Sequence, residues 1–224
     1  MIALLGVAMI PSAILDIAGD SEQWHVFLIS AAISILIGSG LAVLVGGAPP
    51  STGAREAFLL TVMIWIVLPI ISTIPFLNYG LSFTDAMFES VSGLSTTGAT
   101  VMTGLDDASK GILLWRAILQ WIGGIGIIVT AIAILPMLRV GGMQLFQIES
   151  SDMSGKFLPR ITEITTQTGI VYLIISIICA ITYAACGMSA FDAIAHAMTT
   201  MSAGGYSTHD TSFAFFSDTP AAYA

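Results

Sequence analysis

The chain has 224 residues, of which 56% are hydrophobic and only 9% charged, with a mean hydropathy of +0.93. Soluble domains carry about a quarter charged residues, and disordered chains carry more, so both classes are excluded. A formal net charge of −8 without a basic patch argues against nucleic acid as a partner. The remaining class is an integral membrane protein, best counted in spans of about 20 residues.

The first apolar segment covers Ile2–Ala18 and contains Pro11, and a short acidic loop with Asp16, Asp20 and Glu22 follows. It lacks a basic leader, which favours a first span over a cleaved signal. A second span covers Trp24–Val45, so residues 1–50 are expected to hold two leading transmembrane helices. A Gly/Pro linker precedes a third span over residues 57–77, which tolerates Pro69 and Pro75 if neighbours rescue the freed carbonyls.

The next segment, Phe83–Leu94, is too short to cross: its helix would reach about 18 Å against a hydrocarbon core of about 30 Å. It carries Asp85 and Glu89 on one helical face and runs into Ser95-Thr96-Thr97-Gly98-Ala99-Thr100. Asp106, Asp107 and Lys110 follow, and then a long apolar run over residues 111–138. Residues 51–138 therefore read as span, half-span, polar strand, span.

Residues 139–168 read as a polar cytoplasmic connection with Glu149, Asp152, Lys156, Arg160 and Glu163. A further span covers 169–187, and its cysteines, Cys179 and Cys186, are read as packing residues. Residues 191–201 are again too short to cross, and they lead into Ser202-Ala203-Gly204-Gly205-Tyr206-Ser207.

The two halves repeat. At an offset of 107 positions Asp85 meets Asp192, Glu89 meets His196, Ser92 meets Thr199, Ser95 meets Ser202, Gly98 meets Gly205 and Thr100 meets Ser207. Residues 169–224 thus form a second unit of span, short helix and strand, whose closing span the sequence does not include. The physical reading is a re-entrant loop, allowed inside a bilayer only where protein buries it or it lines a polar cavity. Carbonyls of such a strand can replace the water of a cation, and glycines permit the backbone angles required. A Gly/Ser/Thr turn between two buried helices would leave the same letters.

With the first loop outside, Arg55, Arg139, Lys156 and Arg160 fall inside, as the positive-inside rule prefers. The outer face then carries ten acids, Asp85, Glu89, Asp106, Asp107 and Asp210 among them, against Lys110 and Arg116. Such a face concentrates cations at its mouth. Trp24, Tyr79 and Trp115 are placed near the outer interface, and Arg116 either snorkels or pairs with an acid in a loop. Asp85 and Asp192 are expected to cap the short helices. Gly123, Gly124 and Gly126 offer a small-residue face to another helix. His25, His196 and His209 do not form a metal cluster.

Phe88-Glu89-Ser90-Val91-Ser92-Gly93-Leu94-Ser95-Thr96-Thr97-Gly98-Ala99-Thr100 resembles the first pore loop of the TrkH/TrkG potassium-uptake subunits, whose superfamily includes the KtrB and HKT proteins. The run from Gln120-Trp121-Ile122-Gly123-Gly124 looks like the start of the following span. Leu135-Pro136-Met137-Leu138 and Val140-Gly141-Gly142-Met143 match its cytoplasmic end. Gly204-Gly205-Tyr206-Ser207-Thr208-His209-Asp210 resembles the second loop.

The resemblance implies an all-α membrane protein built of repeated span–pore-helix–filter-loop–span units of potassium-channel type, here truncated. It implies potassium held by backbone carbonyls around Thr96, Thr97, Gly98, Ala203, Gly204 and Gly205. It also implies a homodimer, a cytosolic TrkA-like nucleotide-binding regulatory subunit, a multi-pass place in the bacterial inner membrane among its lipids, and no enzymatic activity. Ala203 departs from a Thr/Ser-rich strand, which removes a hydroxyl without touching a carbonyl. Family members have four units, so a chain with two filter strands is expected to be a fragment that does not conduct alone. A non-conducting membrane scaffold is the alternative, and a broken-helix secondary transporter the third reading.

Overall fold

A computed structural model describes residues 1–46, 54–134 and 157–223. The described residues are helical: α1 (Ile2–Ala18), α2 (Trp24–Val45), α3 (Ala54–Asn78), α4 (Phe83–Leu94), α5 (Lys110–Ile134), α6 (Phe157–Ala185) and α7 (Ala190–Met201), with short 3-10 turns at Leu105–Asp107, Ser212–Phe216 and Pro220–Tyr223. Four of them, α2, α3, α5 and α6, are long and apolar enough to cross a membrane. With 17 residues, α1 is shorter.

Helix α6 starts well before its apolar run, so residues 157–168 form its first turns instead of a loop. Pro159 sits in the first turn, where a missing amide costs little, and nothing after it breaks the helix. The polar connection upstream, with Arg139, Glu149, Asp152 and Lys156, lies outside the described residues. So do the 135–138 and 140–145 motifs and most of the Gly/Pro linker.

Both prolines of α3 stay inside the helix. Between them Ser72 Oγ donates back to Leu68 O and Thr73 Oγ1 to Ile70 O, so both hydroxyls are satisfied within α3. Trp115 Nε1 donates to Ser72 O at 3.3 Å. Trp115 is therefore not part of an interfacial belt: it is fully buried among Phe27, Phe76, Met9 and Ile112 in the main core.

Helix α5 is the centre of the molecule. It packs against α1, α3, α4, α6 and α7, and 56% of its span is buried, against 28% or less for the other spanning helices. The small-residue face at Gly123 and Gly124 receives the ends of two short helices, not a whole helix. A Cβ on Gly123 would lie 2.0 Å from the Leu94 carbonyl oxygen at the end of α4. A Cβ on Gly124 would lie 2.9 Å from Ser202 Cβ, just past the end of α7, and 2.7 Å from the Tyr172 hydroxyl. Gly126 takes no such part, since its nearest neighbour would be 4.0 Å away.

The start of α5 is held by the leading helices. Asp16 of α1 accepts the Gly111 amide at 2.8 Å, satisfying one of the donors every helix start leaves open.

Glycine contacts this close set a mutational expectation. Gly123→Ala is expected to destabilise by about 1–3 kcal/mol and lower the melting temperature in detergent by about 5 °C. Gly126→Ala, with open space around it, is expected to leave it unchanged; thermal unfolding of the two variants side by side checks this.

Candidate functional site

Each short helix starts with the same device. Ser82 Oγ accepts the Asp85 amide at 3.2 Å and donates to the Asp85 carboxylate at 2.7 Å. Ser189 does the same for Asp192 at 3.1 and 2.7 Å. The caps are thus the serines. Asp85 and Asp192 stand three residues on, where a carboxylate also favours the helix dipole.

Each short helix also ends in the same way. Thr96 N donates to Gly93 O and Thr97 N to Ser92 O; Ala203 N donates to Thr200 O and Gly204 N to Thr199 O. The amides of both return segments therefore fold back onto the last carbonyls of their own short helix. The backbone then alternates. Ser95 and Ser202 are right-handed, Thr96 and Ala203 have φ of +57° and +55°, and Gly98 and Gly205 have φ of +78° and +79°.

Alternating handedness turns amides to one side and carbonyls to the other. Among the described residues, none donates a hydrogen bond to the carbonyls of Thr96, Thr97, Gly98, Ala203, Gly204 or Gly205. The repeat read in the sequence is thus present in backbone angles, caps and hydrogen bonds alike.

The two segments touch. A Cβ on Gly98 would lie 1.7 Å from the Gly204 carbonyl oxygen, so both its positive φ and this contact require glycine. The corresponding position on Gly205 has nothing within 4 Å.

Behind the first segment lies a buried ion pair. Glu89, fully buried on α4, accepts Val101 N at 2.6 Å and Met102 N at 3.1 Å, and also the Thr100 hydroxyl. Its other oxygen meets Arg116 Nε at 3.4 Å. Arg116, 1% exposed, donates Nη1 to Ser207 O at 2.9 Å and Nη2 to Thr100 Oγ1 at 2.9 Å, and stacks 4.2 Å from the Tyr206 ring centre. Arg116 does not snorkel, and its acid lies on a short helix instead of a loop. Glu89 is committed to this pair and does not face an outer mouth.

His196 takes the Glu89 position in the second unit. Its Nδ1 faces Asp192 O at 2.8 Å, which places the proton there, and Nε2 accepts from Ser207 Oγ at 3.0 Å. In both units one polar side chain of the short helix clamps the hydroxyl eleven residues on.

The remaining outer acids sit in loops. Asp106 accepts from His209 Nδ1 at 2.5 Å and from the Asp210 amide at 3.4 Å, while Asp210 accepts the Leu105 amide at 3.1 Å. These contacts latch the two loops together. The His209 hydrogen bond holds the Asp106 carboxyl below its ordinary value. Asp107 is exposed beside it. No group of three metal-ligating side chains occurs among the described residues.

Residues 23–224 match the TrkH family, described as a cation transport protein. The chain belongs to the TrkH family. It is 38% identical over 221 residues to the Trk system potassium uptake protein TrkH of Halomonas elongata, covering 96% of this chain and 46% of that one. It is 48% identical over 168 residues to TrkH of Vibrio parahaemolyticus, covering 73% and 35%. With TrkG of Escherichia coli it shares 35% over 226 residues. The crystal structure of the potassium transporter TrkH from Vibrio parahaemolyticus superposes with a TM-score of 0.82 at 38% identity, over 93% of this chain and 42% of that one. The chain spans about half the length, or less, of the curated relatives it matches. As a TrkH-family chain with several long apolar helices it is a multi-pass inner-membrane protein, and it is not an enzyme.

Sequence reasoning paired the TrkH-like loops but missed Gln120, Arg116 and Tyr206 as their supports. The available signal was spacing: Arg116, Gln120 and Gly124 lie four apart on one face of α5.

The Arg116–Glu89 pair makes a specific energetic prediction. Breaking it from either side leaves a buried charge, so Arg116→Met and Glu89→Gln are each expected to cost about 3–5 kcal/mol. The double variant is expected to be far less than additive. A double-mutant cycle of unfolding free energies reads the coupling.

Proposed function

We propose that this chain forms part of a potassium-uptake pore in which the carbonyls of Thr96, Thr97, Gly98, Ala203, Gly204 and Gly205 replace the hydration shell of the ion. The observation that carries the reading is the paired backbone geometry: two segments of alternating handedness, side by side, with their first amides bonded back to the short helices and their carbonyls without donors among the described residues. A carbonyl unpaired inside a bilayer costs several kcal/mol, and a dehydrated cation supplies the missing partner. Each short helix ends at its segment and adds the partial negative charge of its C-terminus.

The open side of Gly205 supports a larger ring. On Gly98 the same position is filled by the neighbouring segment, so Gly205 offers the place for the next one. Two segments do not surround an ion, and conduction is assigned to the complete gene product rather than to these residues by themselves. Family membership carries the further expectations of a homodimer and a TrkA-like nucleotide-binding regulatory subunit. The exposed apolar faces of α2, α3 and α6 suit lipid. Asp106, Asp107 and Asp210 make the outer loops acidic, which would draw cations toward the segments, and Asp85 adds to that charge while bound to its serine.

Complementation tests the proposal. Expressed in its complete reading frame in bacteria lacking potassium uptake, the wild type is expected to restore growth at low potassium, and Gly98→Val to abolish it while still reaching the membrane. Insertion without rescue by the wild type would support a scaffold instead.

A further inference from the structure

We infer that Gln120 is a positioning residue for ion selection: the first unit's closing helix, through Gln120 and with Arg116, sets where the second unit's carbonyls stand. The inference rests on the potassium reading above.

The geometry is a ruler along one face of α5. Gly124 admits Ser202 at the start of the second segment. One turn up, Gln120 Oε1 accepts the Tyr206 amide at 3.1 Å. A further turn up, Arg116 donates to Ser207 O and covers the Tyr206 ring. The Tyr206 hydroxyl completes the hold by donating to Glu89 O at 3.0 Å and Ala99 O at 3.3 Å, both in the first unit.

Gln120 is the tightest of these contacts. It is fully buried, and a Cβ on Gly204 would lie 2.3 Å from its Cδ. Its Nε2 lies 3.5 Å from the Cβ position of Gly98 and is a buried donor without a partner among the described residues. The amide therefore fills the crease where the two segments meet. A shift of the second segment toward α5 meets Gln120 first, and a shift away breaks the Tyr206 bond. Ligand shells hold their geometry to about 0.5 Å only when such supports are rigid. Gly98 contacts the Gly204 carbonyl directly, so a displaced second segment alters the first as well.

The test measures the preference of uptake for potassium over sodium in cells expressing the complete reading frame, with the membrane level of each variant quantified. Gln120→Met keeps the volume and removes the acceptor. Gln120→Met is expected to lower the preference about tenfold, equivalent to about 1.4 kcal/mol of lost discrimination, at an unchanged membrane level. A merely structural contact would lower the amount of protein and leave the preference intact.

An unchanged preference in Gln120→Met overturns the inference while leaving the potassium reading standing. A wild type without any preference sinks both. Should Gln120→Met not reach the membrane, Tyr206→Phe loosens the same segment by removing only its hydroxyl bonds. It is expected to lower the preference in the same direction, and no change would overturn the inference.

Discussion

Where a chain doubles back after a short helix, the helix's last carbonyls and the returning amides must both find partners, and the segments after α4 and α7 meet that constraint in the same way. The first amides of both return segments, Thr96 and Thr97 in one and Ala203 and Gly204 in the other, are spent on the last carbonyls of their own short helices, which themselves lack partners at a helix end. One set of bonds thus satisfies both. The carbonyls of residues 96–98 and 203–205 are left without a donor among the described residues, and the two segments touch where the Gly204 carbonyl meets Gly98.

Holding those segments in place falls to α5, and the two units are not held alike. The first segment is fixed from its own unit by Glu89, whose charge is matched by Arg116. The second has a neutral His196 at that position, packed against Phe213 and Phe216, and leans on the first unit for the rest. A buried ion pair is weak evidence for stability, because desolvation offsets most of the attraction. Its use here is placement: Arg116 reaches Thr100 in one segment and Ser207 in the other, so one side chain sets the distance between them.

Much of this was legible in the sequence. The long helices showed as long apolar runs, the short helices as runs too short to cross, and the repeat as a fixed offset from Asp85 and Gly98 to Asp192 and Gly205. Those signals are local, set by hydropathy and by residues that permit special backbone angles. The supports were not legible, because a lone Arg or Gln in an apolar run has no local signature of its partner. Arg116 reads as a charge that snorkels or pairs with an acid in a loop, and Trp115 as an interface anchor, yet both point inward, to Ser207 and the Glu89 of a short helix and to Ser72. The capping serines were passed over for the acids three residues on. A small-residue face on α5 was legible, but not that helix ends would fill it.

The central claim is that the carbonyls of these two segments coordinate potassium. Anomalous scattering from crystals of the complete gene product grown in rubidium tests it most directly, since rubidium resembles potassium and can be located by its own signal. The account predicts an anomalous peak against the carbonyls of Thr96 to Gly98 and Ala203 to Gly205. Rubidium ordered elsewhere in the protein, with no peak at these two segments, would contradict it.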